Sequence, residues 1–145
     1  MGAVLLLTVL PLSVGCGPPP MQSVKGTVSF NGKPLANCKV GFSPDVEIFN
    51  PDRHGYGAGL TEADGSFTIQ HPQGVEGIWA GDYKVTFVAW VDRAGKPLEP
   101  FVKPSEVAGG VKNLLPDAYE SPSTTPERVT VTKGENVFNF KINSK

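Results

Sequence analysis

The chain carries no charged residue before Lys25, and its longest apolar run, Ala3 to Leu12, falls well short of a bilayer crossing. A run of about ten residues, where roughly 20 are needed, excludes a spanning helix there but suits the core of a secretory signal. Only two cysteines and two histidines are present, so nucleophiles and metal ligands are scarce. Gly-x-Ser-x-Gly, His-Glu-x-x-His, Cys-x-x-Cys and phosphate-binding glycine loops are all missing, and nothing else in the sequence assembles a reaction centre. The expectation is a protein that is not an enzyme and uses no cofactor or metal. Against 14 acidic residues stand 13 basic ones, for a net charge of -1. No basic cluster could track a phosphate backbone, so nucleic acid is not an expected partner.

What is present begins with Cys16. The segment Leu12-Ser13-Val14-Gly15-Cys16 resembles a bacterial lipobox, with small Gly15 just before the cysteine and leucines upstream. The resemblance implies that residues 1–15 are a lipoprotein signal peptide, that the Cys16 sulfur takes a diacylglycerol, and that the membrane lipid is a partner through it. Two or more acyl chains, at about 0.8 kcal/mol per buried methylene, make a stable anchor where one is marginal. The aspartate-free Gly17 after the cysteine resembles that of outer-membrane lipoproteins. The chain is therefore expected to be exported and lipid-anchored in the cell envelope, at the outer membrane. Residues 16–23 read as a Pro-rich tether of roughly 20 Å.

Residues 24–145 read as one β domain. Gly (17) and Pro (14) are abundant and spread along the chain, as many short strands with tight turns require. Val24, Val28 and Phe30 alternate with Lys25, Thr27 and Ser29, the period of a half-buried strand. Asn31-Gly32 supplies a turn. Cys38, Val40 and Phe42 point inward from the next strand, which makes Cys38 a buried, inert thiol. Asp64-Gly65 is read as the turn of a hairpin joining Gly59-Leu60-Thr61 to Ser66–Ile69. The longest strand opens at Gly81 and puts Tyr83, Val85, Phe87, Ala89 and Val91 on one side. A last hairpin is read around Lys133-Gly134, between Arg128–Thr132 and Asn136–Ile142. The only hint of helix is a turn near Val111 to Leu115. The expected fold is all-β: a seven-stranded antiparallel β-sandwich with long loops at 43–59 and 92–126.

Several segments resemble one family. Gly26-Thr27-Val28, Asn31-Gly32-Lys33-Pro34-Leu35, Val40-Gly41-Phe42, Thr61-Glu62-Ala63-Asp64-Gly65-Ser66-Phe67 and Gly81-Asp82-Tyr83-Lys84-Val85 look like the carboxypeptidase regulatory-like domain. Leu115-Pro116-Asp117-Ala118-Tyr119 and Gly134-Glu135-Asn136 are similar to small bacterial lipoproteins made of this one domain. The resemblance implies a transthyretin-like (prealbumin-like) Greek-key sandwich and a non-catalytic role, structural or protein-binding, since such domains accompany peptidases without performing their chemistry.

Candidate contact residues are few. His54, in the irregular segment after Ser43, and His71 are each followed or preceded closely by proline; they are either solvated turn residues or a pair of metal ligands. Glu62, Asp64 and Asp82 suggest calcium, although an Asp-Gly turn accounts for Asp64 without an ion. On the longest strand Val88 and Trp90 face away from the core side, so that face needs cover. Leu98, Phe101, Val107, Leu114, Leu115 and Tyr119 from the 92–126 segment could fold back over it. Alternatively Trp90, Trp79 and Tyr56 are exposed rings that contact an envelope protein or stack on a polysaccharide, which would make the chain a carbohydrate-binding module.

Overall fold

A computed structural model describes Gly15, Gly17 and residues 19–144. Cys16 and residues 1–14 of the expected signal segment lie outside the described residues. Strand β1 (Ser23–Phe30) buries Val24 and Val28 and exposes Lys25 and Thr27, as its alternation requires. Asn31 and Gly32 both adopt positive φ, 50° and 79°. That is the two-residue turn whose twist matches the flanking strands, and it returns the chain into β2 (Lys33–Pro34).

Two sheets face each other. In one, β10 (Glu135–Ile142) lies beside β1, whose other edge carries β2 and β5 (Ser66–Thr68). In the other the order is β4 (Gly57–Leu60), β3 (Lys39–Pro44), β6 (Gly81–Val88), β9 (Arg128–Val131). Side chains from both sheets meet in a shared core, where Phe87 of β6 stands edge-on to Phe140 of β10 with ring centroids 4.9 Å apart. The fold is all-β, with mixed sheets, and is consistent with a β-sandwich.

Three expectations need correction. Pairing is not wholly antiparallel, because β10 runs parallel to β1 from Ser23↔Glu135 to Phe30↔Ile142. The expected last hairpin is instead a corner between sheets, and the one at Asp64-Gly65 keeps its antiparallel contacts, Glu62 N–H to Ser66 C=O at 2.8 Å and the paired Ala58–Gln70 bonds of 3.0 and 2.9 Å, while its two arms join different sheets. Around Asp64-Gly65 the chain leaves β4, which pairs with β3, for β5, which pairs with β1. Around Lys133-Gly134 it leaves β9, paired with β6, for β10. Turn residues specify a reversal of direction but not which strand receives the next segment, and here the inward phase of each strand belongs to the opposite layer. Buried Asn136 holds the second corner: its amide donates to the carbonyls of Ser23, Thr132 and Gly134 and its oxygen accepts from the Thr132 N–H at 2.9 Å. The third correction concerns Val111 to Leu115, where the hint of helix is replaced by strand β8 (Val111–Asn113).

Strand β8 pairs with β7 (Trp90–Asp92), which follows β6 after a break at Ala89. Asn113 makes the join, its side-chain oxygen accepting from the Ala89 N–H at 2.9 Å and the Leu115 N–H at 3.2 Å. The segment after β7 thus returns to the core in part. Leu115 is buried and Leu114 and Tyr119 pack on the core, with Tyr119 edge-on to Phe87, whereas Phe101 is fully exposed.

Candidate functional site

Three stretches converge at the end of the molecule where β6 begins. The first is the loop between β3 and β4. Asp45 fixes its start, bridged to Lys84 at 3.3 Å and to Arg128 at 3.1 Å. Further on, Asn50 accepts backbone bonds from Arg53 and His54, while its side chain accepts from the Asp52 N–H at 2.9 Å. This is the local chemistry that makes Asn a turn residue. The second stretch is the turn at His71, closed by His71 N–H to Val75 C=O at 2.8 Å, which leads to Trp79. The third is the tether, tied down where Gln22 and Ile78 exchange backbone hydrogen bonds of 2.6 and 3.0 Å.

Between them lies an open cleft of about 1160 Å³ whose lining includes His54, His71, Trp79, Asp82 and the tether residues Pro19 and Met21. Trp79 is half-buried and its indole lies 5.9 Å from the His71 ring. Tyr83 donates its hydroxyl to the Trp79 carbonyl at 2.7 Å, and burial pushes that phenol up to about 12, so it stays a donor at any physiological pH. Gly55 permits the close approach of the two loops, since a Cβ there would sit 3.1 Å from His71 Nε2.

The two imidazoles share a hydrogen-bonding role. His54 Nδ1 accepts from the Asn50 N–H at 2.8 Å and His71 Nδ1 from the Gln73 N–H at 3.3 Å. Each neutral ring therefore carries its proton on Nε2 and offers a donor rather than a ligand lone pair. Among the described residues no group of three or more His, Cys, Asp or Glu side chains is placed to hold a metal ion. Of the carboxylates considered for calcium, Glu62 and Asp64 share one turn and Asp82 lies apart from it. Asp64 caps its own corner, accepting from the Ser66 hydroxyl at 2.6 Å and backbone at 3.0 Å, and the Ser66 hydroxyl holds its carboxyl below the usual range. Asp82, on β6 in the other sheet, accepts from Thr130 at 2.6 Å.

The aromatic candidates separate into two places. Tyr56 is exposed and stacks on Phe49 with centroids 5.6 Å apart, and Phe49 in turn lies 5.9 Å from His54, so Tyr56 and Trp79 belong to the same end. Trp90 does not. It sits half-buried on β7 beyond the far end of the eight-residue β6, roughly 25 Å away at about 3.3 Å per residue, so it cannot form one platform with Trp79. Sequence reasoning missed Phe49 and the loop apolar residues around it. Ile48-Phe49 within an otherwise polar stretch was the available signal.

No protein-family model, curated protein or solved structure matches this chain. No helix among the described residues is long and apolar enough to cross a membrane.

Proposed function

We propose that the chain is a non-catalytic module of the cell envelope, exported and lipid-anchored through Cys16, that receives a partner protein at the cleft beside its tether. One observation carries the recognition part. Five of the nine large apolar side chains exposed among the described residues, Val46, Ile48, Phe49, Tyr56 and Val75, belong to the two loops that border this cleft. Apolar side chains gathered in one exposed area mark interaction surfaces, since burial against a partner recovers the free energy their exposure costs. The lipobox-like Leu12 to Cys16 supports the anchor, with outer-membrane placement. Resemblance to the carboxypeptidase regulatory-like domain supports the non-catalytic role. If two-residue β2 and the β7–β8 ribbon are set aside, β1, β3, β4, β5, β6, β9 and β10 make seven strands, in keeping with a prealbumin-like Greek key.

Placing a photo-crosslinking residue at Ile48 and, separately, at Phe101 tests the surface in the native envelope. A discrete adduct is expected from position 48 and none from the still more exposed position 101; equal adducts from both, or none from 48, would contradict the proposal.

A carbohydrate ligand is the second reading, favoured by Trp79 lying in the cleft near the amides of Asn50 and Gln73. Glycan binding should then be lost in Trp79→Ala and kept in Trp90→Ala. Binding that survives Trp79→Ala sinks it.

A further inference from the structure

Most strand edges in this molecule are blunted. Strand β4 is four residues long, contains two glycines, and is bridged through Ala58 to Gln70; β9 is also four residues, β5 three and β2 two. Short or covered edges are how sheets avoid pairing with other chains. The exception is β10. It has eight residues, with β1 on one side and no strand on the other among the described residues.

The register tells which backbone groups that open edge presents. Val28 donates to Gly65 and accepts from Leu35, and Val24 accepts from Ile69, so the even-numbered residues of β1 turn their N–H and C=O toward β5 and β2. Odd-numbered residues of β1 therefore face β10. In a parallel ladder such a residue bonds to the two neighbours of its opposite number. With Lys25 opposite Val137, the even-numbered residues of β10 receive these bonds, and the bond from Asn31 N–H to Ile142 C=O continues the pattern. Glu135, Val137, Asn139 and Lys141 are left with N–H and C=O directed outward, and all four side chains are exposed.

We propose that β10 pairs antiparallel with β10 of a second copy of this chain, in the register centred on Phe138. Backbone geometry and charge select that register. Two antiparallel edges exchange hydrogen bonds only where outward-facing residues stand opposite one another, which requires odd opposite odd. Centring on Phe138 satisfies all four, setting Val137 opposite the partner's Asn139 and Glu135 opposite the partner's Lys141, with each pair occurring twice by symmetry. A shift of two residues one way sets Lys141 against the partner's Lys133; a shift the other way sets Glu135 against the partner's Asn143. Directly opposed unlike charges stabilise a strand pair and like charges oppose it. Lys141 has no ion-pair partner within its own chain among the described residues, whereas Glu135 already meets Lys25. The strand is thus self-complementary, which favours a second copy over an unrelated strand. The interface is independent of both the lipid anchor and the cleft.

Native mass spectrometry of the detergent-solubilised full chain over a concentration series tests this, with circular dichroism on each variant. The wild type is expected to dimerise. Val137→Pro removes an outward N–H and none from the β1 ladder, so it should be monomeric with unchanged strand content. Lys141→Glu should weaken the dimer by about tenfold or more, and the double variant Glu135→Lys/Lys141→Glu should restore it. If Val137→Pro loses strand content as well, the charge variants decide. A monomeric wild type, or a dimer indifferent to Lys141→Glu, overturns the proposal.

Discussion

Cys38 has no measurable exposure, and desolvation pushes its thiol up to about 12. Its backbone N–H is satisfied by the Thr61 hydroxyl at 2.9 Å, so the residue fills space and closes a polar account at the same time. A thiolate is the reactive form. The folded protein should therefore resist alkylation at pH 8 and yield one Cys38 equivalent only after denaturation; rapid labelling in the native state would contradict this. Asp45 shows the opposite electrostatics. Its hydrogen bond to Arg128, then Lys84 beside it, holds its carboxyl below the ordinary value. A depressed carboxylate contributes stability that is fully present above its unfolded pKa, about 3.9, and is lost as pH falls through the lower folded value. Asp45→Asn should accordingly lower Tm at pH 7, while the two proteins converge near pH 2; a gap that persists in acid would show the loss is not ionic. Both readings come from residues whose phase or charge was plain in the sequence. Their partners, Thr61 and Arg128, are 23 and 83 residues away, and only the fold brings them close.

At the scale of elements, periodicity placed the strands well because half-buried strands must alternate. Tyr83, Val85, Phe87, Ala89 and Val91 are all buried, as their spacing requires. Partner choice was not legible. Asp64-Gly65 and Lys133-Gly134 are good turns in either arrangement, and nothing local distinguishes a hairpin from a corner between sheets. The second corner depends on Asn136, whose side chain replaces the ladder bonds a hairpin would have made. Asn136 is buried and makes four bonds to part-buried backbone groups of Ser23, Thr132 and Gly134, each worth about 0.5–1.5 kcal/mol. Asn136→Ala should destabilise by about 3 kcal/mol, read as a Tm loss of roughly 10 °C. A loss under about 3 °C would mean that the corner is held by something other than this amide.

For the whole molecule, the two histidine loops, Trp79 and the start of the domain share one end, and Trp90 lies at the other. His54 and His71 were visible as unusual residues, but their meeting depends on the crossing of β3, β4 and β6, which no spacing along the chain encodes. The proposed arrangement puts the recognition cleft beside Met21 and Pro19, close to whatever holds the tether. With the proposed anchor in place, that cleft would face the membrane-proximal space and its partner would reside near the lipid surface. Everything in this reading depends on the anchor. The most direct measurement is palmitate labelling with membrane fractionation of the wild type and Cys16→Ser. The account predicts that the wild type is labelled and sediments with membranes while the variant loses its label and is released, and an unchanged label and distribution in Cys16→Ser would contradict it.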